Sequence, residues 1–395
     1  MNILHIASSV GRQSFGIGPV VLNISVSQQS QGAFSNIFCC DRVLDAKQLE
    51  TEYAMRAETI HTFKFFGPRR LSYSPSMEHA ISQRGNSFSV LHQHGIWTAV
   101  SRATCRWRSL TGRPTVIAPQ GSLDSWALKQ SAWKKKIALH FYEFKNLQRA
   151  SCIHALSPDE ADAFRHFGLS NPIAIIPNGI SDMWLESKSN YAGFRRRFDL
   201  SSESYALLFL GRITPKKGIP MLVRAIAAQK PYLGAFKLII AGVDEFGHQR
   251  EVQQLVNQLS LEAYVEFSGP MYGQLKRDAY AASDLFVLPS YSEGAPNTIL
   301  EALGAGVPVL TTKASPWEDL IRHKCGWWTE IREDAIGVAL RDALQTPREE
   351  LREMGRRGKA LVSTKYTWTE VAKKTLSLYN WLLGEAERPD FVYLD

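Results

Sequence analysis

Two glutamates with seven residues between them, Glu293 and Glu301, frame the most chemically loaded stretch of the chain. The apolar run Leu285 to Leu288 before them reads as a buried strand. A small-residue loop follows, Gly294-Ala295-Pro296, and the chain continues as a helix over Pro296–Leu303. Pro296 suits the first helical turn, where its missing N–H costs nothing, and Gly304 and Gly306 suit the exit. The N–H groups of Asn297 and Thr298 then point out of the helix start, a ready site for a phosphate. Asn297 and Glu301 are four apart and share a face. A carboxylate, backbone donors and a second carboxylate surround one pocket at a strand's C-terminal end, where ligands of open α/β sheets bind.

A second dense stretch is Leu210-Gly211-Arg212-Ile213-Thr214-Pro215-Lys216-Lys217-Gly218. Gly211 is expected to turn the backbone sharply, and Arg212 and Lys217 to project into the pocket of Glu293 and Glu301. An Arg fork and a Lys point charge are what a diphosphate leaving group needs. Alone, such a turn is more simply a basic surface loop; beside the 293–301 stretch it reads as functional. His92-Gln93-His94-Gly95 ends another strand. H-x-H can be a metal pair, yet no supporting Asp or Cys spacing accompanies it, so His94 reads as a polar contact to substrate. A structural histidine is the plain alternative. Pro119-Gln120-Gly121-Ser122-Leu123-Asp124 is a polar loop after a strand. The helix beyond it carries Trp133-Lys134-Lys135-Lys136-Ile137, either a contact for a lipid surface or anionic acceptor or a core stripe with a solvated basic face.

These loops need a scaffold of strands alternating with helices. Ile3–Ala7, Asn36–Cys39, Thr59–Phe63, Ser87–His92, Thr115–Ala118, Cys152–Ala155 and Ala174–Ile176 read as strands. Pro75–Arg84, Trp97–Arg108, Ser131–Arg149 and Pro158–Phe167 read as helices. A turn cluster at Pro177-Asn178-Gly179, then Ser187–Asn190 and Arg195-Arg196-Arg197 without a strand pattern, mark a domain boundary. A second alternation has strands Tyr205–Leu210, Lys237–Ala241, Val265–Phe267, Leu285–Leu288, Pro308–Leu310 and Gly326–Trp328. Its helices are Pro220–Gln229, Gln249–Leu259, Leu275–Ala282 and Pro296–Leu303, with charged helices from Asp334 onward. The pattern predicts two α/β domains with parallel sheets and a ligand cleft between them.

With 395 residues the chain has room for two or three domains. The 45% apolar and 21% charged shares are those of a globular protein. The five cysteines include no C-x-x-C and read as reduced thiols of a cytoplasmic protein. The N-terminus is too polar for a signal peptide, and no apolar run is long enough for a membrane span. A net charge of +8 allows an anionic substrate, a membrane surface or nucleic acid. No D-x-D is present to hold a divalent ion on a sugar diphosphate, no G-x-x-x-x-G-K-[ST] for a P-loop, and no G-x-S-x-G for an α/β hydrolase.

The chain resembles the retaining glycosyltransferases of family 4, whose GT-B fold has two facing Rossmann-like domains and a central cleft. Glu293 and Glu301 look like that family's E-x7-E motif, and Gly211-Arg212 with Lys217-Gly218 like its G-R-x-x-x-x-K-G motif. His94-Gly95, the loop 119–121, Pro177-Asn178-Gly179 and the glycines Gly16 and Gly18 also fit. The segment Gln120 to Lys136 is similar to that of members that build bacterial exopolysaccharide or lipopolysaccharide. The resemblance implies domains at 1–184 and 185–367, with a helix near 368–385 packed back on the first. It implies that Arg212 and Lys217 hold the diphosphate, that Glu301 takes the ribose hydroxyls, and that Glu293 with Gly294, Ala295, Pro296, Asn297 and Thr298 faces sugar and phosphate. Gly211 lies beside the diphosphate and Gly16–Gly18 closes over it, Met271 lies by the base, and His94 approaches the sugar. Gln120 and Asp124 fall on the acceptor side. Ala295-Pro296 departs from the commoner Phe-Gly, and Gln120 stands where many relatives carry His or Arg.

The expected function is transfer of a hexose, with glucose from a UDP-sugar as the single choice, to a glycan or lipid-linked acceptor. The site would be cytoplasmic, at most peripheral to the inner membrane face, with no metal and no cofactor beyond the nucleotide-sugar substrate. A sugar-nucleotide epimerase or hydrolase on the same fold is the alternative. A basic nucleic-acid-binding protein is a remote one, since no recognised motif or base-stacking array supports it.

Overall fold

The apolar runs bounded by turn residues become the strands of two Rossmann-like sheets. In the computed structural model, residues 1–11, 16–41, 57–68, 71–124, 128, 135, 138–186 and 189–394 are described. They form two units, Met1–Gly179 with Trp368–Asp395, and Ile180–Thr367.

The first unit holds β1 (Asn2–Ala7), β2 (Phe34–Cys39), β3 (Ile60–Thr62), β4 (Val90–His94), β5 (Thr115–Ala118), β6 (Cys152–Ala155) and β7 (Ile173–Ile175). They are parallel, in the order β7-β6-β5-β4-β1-β2-β3, and Val392–Tyr393 adds an antiparallel edge to β7. The order reverses between β1 and β4, so the crevice of this sheet opens at the ends of those two strands. Ile3, Val90, Val116 and Cys152 pack under the helices Ile17–Ser30 and Trp368–Leu382. Leu4, Ile6 and Leu91 pack under Pro75–Arg84 and Val100–Thr111 on the opposite face.

The second unit holds β8 (Tyr205–Leu210), β9 (Phe236–Ala241), β10 (Val265–Gly269), β11 (Leu285–Leu288), β12 (Val309–Thr312) and β13 (Gly326–Thr329). The order β10-β9-β8-β11-β12-β13 reverses between β8 and β11. Leu285, Phe286, Val287 and Leu288 are fully buried, as expected of a central strand covered on both sides. The loops after β8 and β11 are the two stretches singled out above for their chemistry.

Several bounds differ from expectation. β4 runs Val90–His94 rather than Ser87–His92, because Gly85–Ser87 forms a 3₁₀ turn. The next helix begins at Val100, not Trp97, because Trp97 has a left-handed backbone, φ 70°. Tyr191–Arg197, read as boundary, is a helix capped by Asn190. The unit boundary falls at Gly179, not 184: the Ile180 N–H donates to the Tyr366 carbonyl at 2.6 Å, and Ile180 bridges Thr367. A Cβ on Gly179 would lie 2.6 Å from the Trp368 ring. Of the expected helix Ser131–Arg149, Leu139–Glu143 is π-helical and Phe144–Gln148 α-helical. Ser131, Trp133, Lys134, Lys136 and Ile137 lie outside the described residues, as does Ser187. Among the described residues no helix is long and apolar enough to cross a membrane.

Candidate active site

The loop after β8 is locked onto the loop after β11. Gly218 has φ +66°, and a Cβ there would sit 2.0 Å from the Pro289 carbonyl oxygen; no other residue type fits. The Tyr291 N–H donates to the Lys216 carbonyl at 2.9 Å. This contact delivers Lys217 to Glu293: Lys217 Nζ donates to Glu293 Oε1 at 2.5 Å, and Ser290 Oγ donates to the same oxygen at 2.5 Å. Both side chains of the pair are largely buried, so the pairing is screened less than a surface one. The close approach falls at Gly218 rather than at Gly211, where a Cβ would make ordinary contacts with Phe209 at 3.6 Å and Lys217 at 3.7 Å.

The helix after the loop is Asn297–Gly304, so Pro296 is its N-cap, with ψ 107°, and not its first residue. Its fixed φ suits either position; ψ in the extended region is what places it outside. Gly294 and Ala295 are half-buried between Glu293 and Pro296. Thr298 Oγ1 is buried without a hydrogen-bond partner. One turn on, Glu301 Oε1 accepts from Lys276 Nζ at 2.6 Å and Oε2 from the Tyr280 hydroxyl at 3.0 Å. Burial first, then the Glu301 carboxylate, pushes the Tyr280 phenol well above its ordinary value, so it stays a donor. The Lys276 ammonium also lies 5.3 Å over the Trp184 ring. Lys276 and Tyr280 were not foreseen. They are four apart on Gly273–Ala281 and share a face, which was the available signal.

Arg212 pairs with Glu245 in the loop beyond β9. Its Nη1 donates to Glu245 Oε1 at 2.8 Å, and its side chain is 48% exposed. Glu245 is brought there because pairing continues past the sheet, Ile213 N to Val243 O at 2.9 Å and Glu245 N to Ile213 O at 3.1 Å. Met271 is buried in the core of the unit, just beyond Gly269 at φ +74°.

In the first unit, His94 is 2% exposed at the end of β4. Its Nε2 faces His5 Nδ1 at 2.9 Å, and its Nδ1 faces Gln120 Nε2 at 3.2 Å. Gly95 follows with φ +77° against Ile17. Burial depresses the histidines around His94: His5 and His154 fall to about 4, and His92 and His94 lie well below the ordinary value. For His92 and His94, repulsion from neighbouring rings adds to burial. Gln120 has a left-handed backbone, φ 52°. Gly16 caps the helix Ile17–Ser30 without a side-chain bond, and Gly18 is buried in its first turn. Asp124 is half-buried, its carbonyl accepting from the Leu128 N–H at 2.9 Å.

Two buried carboxylates hold these loops. Glu143 accepts from the Trp97 N–H at 2.8 Å and from Ser101 Oγ at 2.8 Å. Glu160 accepts from the Gly121 N–H at 2.6 Å and the Leu156 N–H at 2.7 Å. Burial pushes both carboxyls up while these bonds hold them down. Ser157-x-x-Glu160 carries the spacing of a capping box, but Glu160 reaches Gly121 and Leu156 instead.

Two Rossmann-like parallel sheets in one chain are the GT-B fold class. Residues 15–179 match the glycosyl transferase 4-like domain, and residues 193–361 match glycosyl transferases group 1. Each unit therefore carries a glycosyltransferase domain. A D-inositol 3-phosphate glycosyltransferase of Nocardia farcinica is 29% identical over 54% of this chain and 48% of its own length. A lipopolysaccharide 1,2-N-acetylglucosaminetransferase of Salmonella typhimurium is 25% identical over 53% of this chain and 57% of its own. The chain thus spans about half the length of the curated relatives it matches. The crystal structure of Anabaena Alr3699/HepE in complex with UDP and glucose superposes with a TM-score of 0.76 and 18% identity, covering 96% of this chain and 100% of that one. At that identity the likeness speaks for the fold.

The second unit thus presents two ammonium groups, each held by a glutamate, and an unpaired buried hydroxyl at a helix start. Such a site stabilises negative charge that builds on a bound group and accepts hydrogen bonds from hydroxyls.

Proposed function

We propose that the protein is a retaining, metal-independent hexosyltransferase that moves glucose from UDP-glucose to a glycan or lipid-linked acceptor in cell-surface polysaccharide synthesis. The observation that carries this reading is the Lys217–Glu293 pair at the reversal point of a Rossmann-like sheet, with Glu301 two turns further along. The diphosphate lies against Lys217 and Arg212 and the start of Asn297–Gly304, and Glu301 takes the ribose hydroxyls. Glu293 steers Lys217 and faces the sugar with Gly294, Ala295 and Asn297. Breaking the glycosyl–phosphate bond leaves negative charge on the diphosphate; Lys217 and Arg212 stabilise it, each by on the order of 10²–10³ in rate. The acceptor hydroxyl attacks from the face the phosphate leaves, the new C–O bond forms as the old one breaks, and the proton passes to the departing phosphate. His94 meets a substrate hydroxyl, and Gln120 and Asp124 serve the acceptor.

The choice of donor is supported by the HepE likeness, a protein that binds UDP and glucose, and the polymer by the Salmonella relative, a lipopolysaccharide glycosyltransferase. The same reading puts the reaction in the cytoplasm, at the inner face of a membrane. The test incubates the protein with UDP-glucose, UDP-galactose, UDP-N-acetylglucosamine and GDP-mannose, with and without membrane-derived glycolipid and in excess chelator. UDP release from UDP-glucose that requires acceptor and ignores chelator is expected, with the product keeping the donor's α configuration. Donor consumed equally without acceptor turns the assignment to an epimerase or hydrolase.

A further inference from the structure

Four histidines line one face of the first unit's sheet near the strand ends: His5 on β1, His92 and His94 on β4, and His154 on β6. Every ring nitrogen has a partner. No carboxylate is bonded to any of the four rings among the described residues. A proton added to one of them would be a buried, uncompensated charge, so all four are neutral. A neutral imidazole has one donor and one acceptor nitrogen, and two backbone carbonyls then decide where every proton sits.

The first is the Ile176 carbonyl, 2.7 Å from His154 Nε2. A carbonyl only accepts, so His154 Nε2 carries the proton and its Nδ1 accepts from His92 Nε2 at 3.3 Å. His92 Nδ1 in turn accepts from the Tyr379 hydroxyl at 2.7 Å. The second is the Ala372 carbonyl, which takes the single proton of Thr375 Oγ1 at 3.0 Å. Thr375 must therefore accept from Gln28 Nε2 at 3.0 Å, and Tyr379, its own proton spent on His92, accepts from the same nitrogen at 3.4 Å. That fixes the amide of Gln28, with its NH₂ on the helix Trp368–Leu382 and its Oε1 on His5. His5 Nε2 donates to Oε1 at 2.8 Å, so His5 Nδ1 accepts from His94 Nε2 at 2.9 Å. The lone pair of His94 is left on Nδ1, where Gln120 Nε2 meets it at 3.2 Å.

We propose that Gln28 and Thr375 are positioning residues that lock His94 as the neutral Nε2–H tautomer, so that His94 meets substrate as an acceptor at Nδ1 and takes a hydrogen bond from a sugar hydroxyl in place of Gln120. The sugar in this statement rests on the glycosyl-transfer reading; the lock does not. It also explains why three rings with nitrogens within 4.8 Å of one another, His5, His92 and His94, are a polar wire: their lone pairs accept from His94, Tyr379 and Gln120 and are not left for a cation.

The test is ¹⁵N-histidine NMR of the full chain at pH 7.5 with steady-state kinetics on UDP-glucose. Wild type should show His94 with Nε2 protonated and Nδ1 bare. Gln28→Met removes the acceptor of His5; His94 should become a mixture of tautomers, and kcat should fall five- to tenfold with donor KM within twofold. Thr375→Val, nearly isosteric, frees the amide of Gln28 to rotate and should give the same change at about threefold; it serves if Gln28→Met fails to fold. Tyr379→Phe should move the His92 and His154 signals yet leave His94 and kcat within twofold, which a general loss of packing would not do. A proton on His94 Nδ1 in wild type, or a His94 spectrum unmoved in both Gln28→Met and Thr375→Val, overturns the lock. The predicted spectra with kcat unchanged in both variants overturn its role at substrate while leaving glycosyl transfer standing. The predicted spectra with no turnover of any nucleotide sugar by wild type instead remove the transfer reading.

Discussion

The two units share a strand order and differ in how they handle charge. In the second, two carboxylates at the sheet's reversal are each paired with a lysine, Glu293 with Lys217 and Glu301 with Lys276. In the first, four neutral histidines line one face of the sheet, the buried carboxylates Asp41, Glu143 and Glu160 accept backbone N–H bonds, and Glu78 on the helix Pro75–Arg84 pairs with Arg102 and Arg106. Under the proposed function this is a division of labour. Lysines in a partly desolvated site stabilise charge that appears during reaction; neutral rings and fixed loops read hydroxyl groups by hydrogen-bond direction. Glu293 and Glu301 of the second unit hold cations in place, whereas Glu143 and Glu160 of the first hold loops.

The largest effect expected from breaking this contrast is in Lys217→Ala, which removes one cation from the second unit. Turnover should fall by on the order of a hundred- to a thousandfold while far-UV circular dichroism is unchanged; a loss under fivefold would show that the charge does not act on the leaving group. Gly218→Ala comes next. Its Cβ would meet Pro289 O at 2.0 Å with φ +66°, so the loop carrying Lys217 must shift. Urea unfolding should show a loss of roughly 2–4 kcal/mol, and Gly211→Ala, with open contacts, should lose far less.

Acid should separate the units. His5 and His154 titrate near 4 in the fold against 6.5 ordinarily. Depressed folded values mean that the unfolded chain binds more protons in this window. Their stability contribution is therefore complete above 6.5 and is lost as pH falls from 6.5 toward 4. At pH 5 each of the two costs about 2 kcal/mol. Hydrogen exchange should show the first unit opening before the second between pH 7 and 5. Equal loss in both would contradict the neutral wire. The smallest effect belongs to Glu301→Gln, which trades a charged acceptor for a neutral one and should raise the donor KM about tenfold with kcat little changed.

Sequence alone revealed the second unit more fully than the first. Tyr205–Leu210 and Leu285–Leu288 are unbroken apolar runs between turn signals, and Lys217, Glu293 and Glu301 sit on loops next to them, so order along the chain predicts neighbourhood in space. The pairing of Lys217 with Glu293 was within reach, but Arg212 with Glu245 was not, because it depends on β8 and β9 pairing past the sheet edge. In the first unit, the expected strand Ser87–His92 stops two residues short of the end of β4, which continues through Gln93 and His94. Gln93 and His94 are buried with partners from outside the strand, His5 and Gln120 for His94 and Ser101 and Asn146 for Gln93, and no local pattern carries that. Trp97 and Gln120 likewise take left-handed backbones held by Glu143 and Glu160 from remote helices.

The central claim is that the second unit binds a nucleotide diphosphate through Lys217. Calorimetric titration of UDP into the wild-type chain and into Lys217→Ala tests it most directly. Saturable binding to the wild type, weakened at least tenfold in the variant with melting temperature unchanged, is predicted. Absence of binding by a folded wild type, or equal affinity in the two, would contradict it.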